Sequence, residues 1–145
     1  MSQDKIRVFG KILPGVDYME RPGAYAFLFN AEEQMAVVET PMGLFLPGGG
    51  IEAGEHPVAG LRRELLEEIA YELLSAKLLR QAIQYHWSGY YRKNFKKIGA
   101  FYLADAEPKP GFVPHPDHTL LWMEPAKAAK KLSQEFQRWA VSEGF

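Results

Sequence analysis

Short apolar runs bounded by turn residues alternate along this chain with one stretch of helical period. Residues 6–13 are apolar enough for a first strand, which Pro14-Gly15 ends. Pro22-Gly23 then introduces a buried-strand candidate at residues 24–29. Asn30-Ala31-Glu32-Glu33 is the turn into residues 34–39, so the two runs read as a hairpin. After a break at Pro41-Met42-Gly43, Leu44-Phe45-Leu46 is a short strand that delivers the chain to Pro47 and the loop Gly48-Gly49-Gly50. The rhythm then changes. Leu61, Leu65 and Ile69 recur every four residues, Pro57 suits a first helical position, and Glu55 lies just upstream, where a helix dipole is positive.

Beyond the helix, residues 76–91 and 98–104 form a second predicted hairpin, with Arg92, Lys93, Lys96 and Lys97 as a solvated polar tip. Five prolines and glycines mark residues 105–117 as a loop, and residues 118–123 as a last strand. Pro125 opens a helix, and Ser133 is placed to cap another over residues 134–141, with Phe136 and Trp139 to bury. Strands interleaved with helices predict an α/β protein. No repeat or linker divides the chain, so residues 1–145 are expected to form one domain.

Composition narrows this picture. A chain of 145 residues, 47% of them hydrophobic, buries a real core. No apolar run reaches the roughly 18 residues that span a bilayer, and Met1-Ser2-Gln3-Asp4-Lys5 lacks the layout of a signal peptide, so a cytoplasmic protein is expected. The absence of cysteine excludes disulfides, thiolate metal sites and cysteine nucleophiles together. A formal charge of -1 provides no basic field to grip polymeric nucleic acid, so any bound nucleotide is expected to be small.

The chemistry concentrates on the face of the predicted helix opposite its leucines. Glu64, Glu67 and Glu68 stand at i, i+3 and i+4, a spacing at which like charges cost a helix roughly 0.2–0.5 kcal/mol per pair. A hard divalent cation reverses the sign of that interaction, since Mg2+ takes oxygen ligands together with substrate phosphates. A solvated acidic face eased by Arg62 and Arg63 has the same spacing, which alone does not separate the two readings. The glycines before the helix match neither Gly-x-x-x-x-Gly-Lys-Ser/Thr nor Gly-x-Gly-x-x-Gly. They allow either a close backbone approach to a ligand or a plain turn.

Seven positions at fixed spacing decide the matter: Gly49, five residues, Glu55, seven residues, Arg63-Glu64-Leu65, one residue, then Glu67-Glu68. This resembles the signature of the Nudix hydrolase family, with a MutT-like layout. Leu44-Phe45-Leu46-Pro47 is similar to its entry strand, and Leu120-Leu121-Trp122-Met123-Glu124-Pro125 to its closing segment. The resemblance implies an α/β/α sandwich with a central mixed β-sheet. It also implies that Glu67 and Glu68 bind Mg2+ or Mn2+, with the Gly48 carbonyl as a further ligand. Glu64 is then a ligand or the base acting on water; Arg63 orients Glu64 or Glu55, and Glu55 is an outer-shell or additional carboxylate. The family pattern closes with glycine and an aliphatic residue where this chain has Ala70 and Tyr71, which makes the helix exit the open point.

The implied reaction is metal-dependent hydrolysis of a diphosphate linkage in a nucleoside diphosphate derivative. The first expected substrate is a nucleoside triphosphate, including an oxidised one; dinucleoside polyphosphates and RNA 5′ ends come next. A nucleotide-binding sensor with little turnover is the reading from another class. Gly49, Tyr85, Tyr91 and Asp117 are the candidate substrate-binding residues, Asp117 also as an extra acidic ligand, while His115 and His118 read as ordinary loop residues. Aromatic faces such as Tyr85 and Tyr91 stack nucleobases, and the same residues equally make cross-strand pairs. The partners expected are a small nucleotide and at most a second copy of the chain, with no membrane.

Overall fold

The computed structural model describes residues 6–145; residues 1–5, where a signal peptide is expected to be lacking, lie outside the described residues. Among the described residues, eight strands form two sheets. The larger is mixed and five-stranded, in the order β1 (Arg7–Phe9), β6 (Tyr71–Ser88), β7 (Lys93–Pro108), β2 (Met19–Phe27), β5 (Gly48–Gly50). The smaller is antiparallel, in the order β4 (Gly43–Phe45), β3 (Met35–Thr40), β8 (Thr119–Met123). Helix α1 (Pro57–Ile69) covers one face, and α2 (Pro125–Lys131) with α3 (Glu135–Ser142) covers the other. This is the α/β architecture with a central mixed sheet that the family resemblance implies.

Strand alternation divides the core in two. Ala24 and Ala26 of β2, with Leu28 just beyond it, pack with Leu61, Leu65 and Ile69 of α1, while Phe27 packs with Phe101 of β7 and Phe136 of α3. Each buried leucine of α1 contributes roughly 1.5–3 kcal/mol by leaving water, which fastens the helix that carries the carboxylates.

Several boundaries differ from the sequence reading. The first strand is only Arg7–Phe9. β2 starts at Met19 and runs through Pro22-Gly23, which is tolerated because pairing with β5 begins only at Gly23. The Asn30 turn forms, its Oδ1 accepting the N–H groups of Glu32 and Gln34. The hairpin does not continue, however, since after one bridge at Phe29 and Met35 the strands join different sheets. The three glycines are themselves an edge strand rather than a loop.

β6 begins at Tyr71, directly after the helix, and β7 holds to Pro108, shortening the proline loop. Lys93, Lys96 and Lys97 belong to β7, and the hairpin tip lies before them. Ser133 does not cap α3, whose N-cap is Gln134; its Oγ instead accepts the N–H of Leu44 at 2.9 Å.

Candidate active site

Helix α1 begins at a cap made by His56, whose Nδ1 accepts the N–H of Val58 at 3.1 Å. It ends at Ala70, which takes the left-handed conformation, φ 57 and ψ 40, and donates its N–H to Leu65 and Leu66. The exit left open by the missing glycine is therefore the usual left-handed one, made by a residue whose Cβ disfavours it. The helix is fixed at both ends, and β5 runs alongside the face that carries its carboxylates.

Arg63 is the hub. Its Nε and Nη2 donate to the two oxygens of Glu55, both at 2.9 Å, a bidentate fork. Nη2 also reaches the Gly50 carbonyl at 3.0 Å, and Nη1 reaches Glu64 at 3.1 Å and Glu67 at 3.4 Å. The Arg63 bonds, with the Glu52 N–H, hold the Glu55 carboxyl down at about 2. Arg63 in turn is pushed up, chiefly by Glu55. Glu55 and Glu64 are thus both oriented by one guanidinium, where the sequence left the choice open.

The three glutamates of the cluster have different surroundings. Glu67 is 62% exposed. Glu64 is largely covered, and burial pushes its carboxyl up against the opposing bond from Arg63. It lies so close to Gly49 that a Cβ there would sit 2.9 Å from its carboxyl carbon, so only glycine leaves the carboxylate its place. Glu68 is buried, accepts the Gly48 N–H at 3.1 Å, and is pushed up to about 8 by burial. Arg63 does not reach it.

The loop after β7 docks here. His115 donates its N–H to the Glu67 carbonyl at 3.1 Å, and its ring stacks on His118 at 4.5 Å between centroids. His118 Nδ1 lies 3.6 Å from Glu68 and has no hydrogen-bond partner. Burial and the neighbouring His115 hold His118 down, toward the neutral ring. His118 is therefore no ordinary loop residue, and it, rather than Asp117, approaches the buried glutamate. Only its place beside Asp117 in the sequence hinted at this.

Glu68, Gly48 and Gly49 open onto a cavity of about 650 Å3. Tyr91 and Asp117 line it, with Tyr25, Phe95, Arg21, Lys97 and His86 on the sheet wall. Tyr85 does not line it. Its side chain points from the opposite face of β6 and meets Tyr18 edge-on at 4.9 Å, while its neighbour His86 faces the cavity. Lys97 is also unlike the solvated tip charge expected, being largely covered and held down to about 8 by burial and by Arg21.

Among the described residues no three His, Asp or Glu side chains converge on one point, since Arg63 draws Glu64 and Glu67 toward itself while Glu68 turns to Gly48. The donor set nevertheless fits a hard divalent cation. Glu64 and Glu68 are carboxylates under a desolvation load, and Glu68 has no cationic partner other than a histidine held toward neutrality.

Comparison with known proteins adds a family match: the profile of the NUDIX domain fits residues 19–142. No curated protein matches the sequence. Among solved structures, MutT from work on Aliivibrio salmonicida and Vibrio cholerae is similar with TM-score 0.65 and 18% identity, over 86% of this chain and 96% of that one. A MutT NUDIX hydrolase from Burkholderia pseudomallei gives TM-score 0.63 and 23% identity, over 88% and 99%. The Escherichia coli dihydroneopterin triphosphate pyrophosphohydrolase gives 0.66 and 14%, over 84% and 92%. At these identities the likeness is one of fold.

Proposed function

Since the chain belongs to the Nudix family, hydrolases of phosphorus-containing anhydrides, we propose that it cleaves the diphosphate linkage of a small nucleotide with Mg2+ or Mn2+ held by Glu64, Glu67 and Glu68. The Gly48 carbonyl is the further candidate ligand. A nucleoside triphosphate, including an oxidised one, is the first substrate class. Residues 1–145 act as one domain in the cytoplasm, as a monomer or homodimer.

The observation that carries this reading is the placement of Glu64 against Gly49 and Glu68 against Gly48 at the wall of the cavity. A bound divalent cation supplies two things: it neutralises phosphate charge, and it makes water nucleophilic near neutral pH. The chain's own residues do the rest. Arg63 holds Glu64 in one orientation through Nη1, and Glu55 holds Arg63 through its bidentate fork. Burial raises the proton affinity of Glu64, the direction required of a carboxylate that takes a proton from water. Glycine at position 49 keeps a side chain off the Glu64 carboxylate, and glycine at position 48 lets β5 lie close against the Ala24 backbone of β2. The intact set of Glu55, Arg63, Glu64, Glu67 and Glu68 supports an enzyme over a nucleotide sensor.

The test is a magnesium-dependent phosphate-release screen over nucleotide classes with wild type and Glu68→Gln. The expected result is release from at least one class, abolished by chelator and lowered at least about 100-fold in the variant. Equal release from the variant would remove the assigned site. No release from any nucleotide with wild type would leave the sensor.

A further inference from the structure

The cavity wall holds a pair of cations that the carboxylate site does not use. Arg21 of β2 and Lys97 of β7 are direct partners in the parallel ladder, so they project from the same face of the sheet, and both line the cavity. Like charges placed opposite each other in a sheet destabilise it. Among the described residues no carboxylate comes within ion-pair distance of either, although Glu68 and Asp117 line the same cavity. Lys96, the neighbour that points to the other face, is paired with Glu20 at 3.6 Å, so the fold does supply partners where the cation is only structural.

Two further observations show that the pair is held in place. The Arg21 guanidinium lies over the rings of Tyr91 and Phe95, 5.5 and 5.3 Å from their centroids, which fixes its position without neutralising it. His86 joins them from β6: it lines the cavity, and its Nε2 is buried with no hydrogen-bond partner. The two cations thus stand on one wall of the cavity beside Tyr25, Phe45 and Phe95, with Glu68 and Asp117 elsewhere in its lining. Unpaired cations set together on a partly apolar wall are complementary to an anion that brings its own acceptors.

We infer that Arg21 and Lys97 form an anion subsite that takes a further phosphate or carboxylate of the substrate, beyond the linkage cleaved at Glu64 and Glu68. The inference rests on the proposed function and narrows it. Favoured substrates carry at least one anionic group more than the diphosphate that is broken, as a nucleoside triphosphate does. A diphosphate joined to a neutral sugar leaves Arg21 and Lys97 empty. Arg63 is no rival for this group, because its donors are already taken by Glu55, Glu64, Glu67 and Gly50.

The experiment is calorimetric titration of the metal-free, full-length protein with inorganic phosphate and, separately, with succinate. Wild type, Arg21→Gln and Lys97→Met are compared, and thermal melting of each is followed with and without the anion. Phosphate is expected to bind one per chain, and each substitution to weaken it about tenfold or more, the loss of one charge-assisted contact. Lys97→Met without anion is expected to melt no lower than wild type, since it removes one of two opposed like charges, and to lose the rise in melting temperature that phosphate gives wild type. Succinate binding with the same dependence on Lys97, in place of phosphate, supports the subsite and assigns it to carboxylate.

Wild type that binds neither anion at tens of millimolar, or Lys97→Met that binds as well as wild type, overturns the inference. Neither metal nor turnover enters the measurement. Binding through Lys97 by a protein that hydrolyses no nucleotide keeps the subsite and rejects the proposed function; hydrolysis without such binding does the reverse.

Discussion

Helices α1 and α3 cover opposite faces of the same strands, and the strands offer them different surfaces. Toward α1 they present four alanines, Ala24, Ala26, Ala36 and Ala104, among Val38, Leu73 and Tyr102; toward α3 they present Tyr25, Phe27 and Phe101, with Phe101 edge-on to Phe136 at 5.5 Å. Small residues let a helix approach closely, and large ones hold it off. The carboxylates ride on the close, tightly registered side. The cavity opens on the bulky side, and the all-glycine strand β5 is the seam between them. Precision and room are thus supplied by separate layers.

The largest effect that tests this division is expected from Phe136→Ala. Removing a fully buried ring costs about 3–5 kcal/mol in denaturant unfolding, while kcat at a permissive temperature stays close to wild type. A collapse of kcat in the folded fraction would mean that the two layers are not separable.

Ala26→Leu is the complementary change. Overpacking under α1 is expected to cost about 1–3 kcal/mol, less than the ring deletion, yet to lower kcat by up to about 100-fold by displacing the carboxylates. Lost stability with unchanged kcat would show that the close fit is not what positions them.

Acid separates the layers in another way. The loop ahead of α1 is tied to the helix by a carboxylate–guanidinium brace, whereas α3 is tied without any carboxylate: Gln137 accepts the Leu46 N–H, Gln84 accepts the Phe136 N–H, and Arg80 donates to the Ala140 carbonyl. The folded-state pKa of Glu55 lies at about 2, below its ordinary value, so the stability it contributes is complete above about 4.5 and lost as pH falls toward 2. Hydrogen exchange at residues 52–64 is expected to quicken across that window before exchange at residues 133–141 does. In Arg63→Gln the window should vanish; its persistence would assign the acid sensitivity elsewhere.

The smallest effect expected is a gain. Ala70→Gly relieves a left-handed alanine and should stabilise the protein by about 1 kcal/mol in denaturant unfolding, with no change in kcat. A loss of stability would show that the packing of the Ala70 methyl outweighs its backbone strain.

Much of α1 was legible because Pro57 and the four-residue leucine spacing are local signals, and the glutamate spacing then carried the family resemblance. Burial was not legible. Glu67 and Glu68 are neighbours in the sequence, yet one faces solvent and the other the glycine strand, a difference set by what lies across from the helix. Parity in β6 was equally hidden. A step of one residue exchanges Tyr85 for His86 at the cavity wall, and no turn signal near the hairpin determines which of them faces inward. Arg21 and Lys97 are 76 positions apart and become partners only through the parallel register of β2 and β7, a pairing with no local trace. Lys97 therefore looked like one more charge at a hairpin tip.

Gln137 accepts the N–H of Leu46, and Ser133 that of Leu44, across 91 and 89 residues of chain. The strand that leads into the glycines thus takes its final hydrogen bonds from residues made long after it. On a growing chain these two bonds stay open until residues 133–137 have emerged, so the glycine seam beside the candidate site is expected to be completed late in folding.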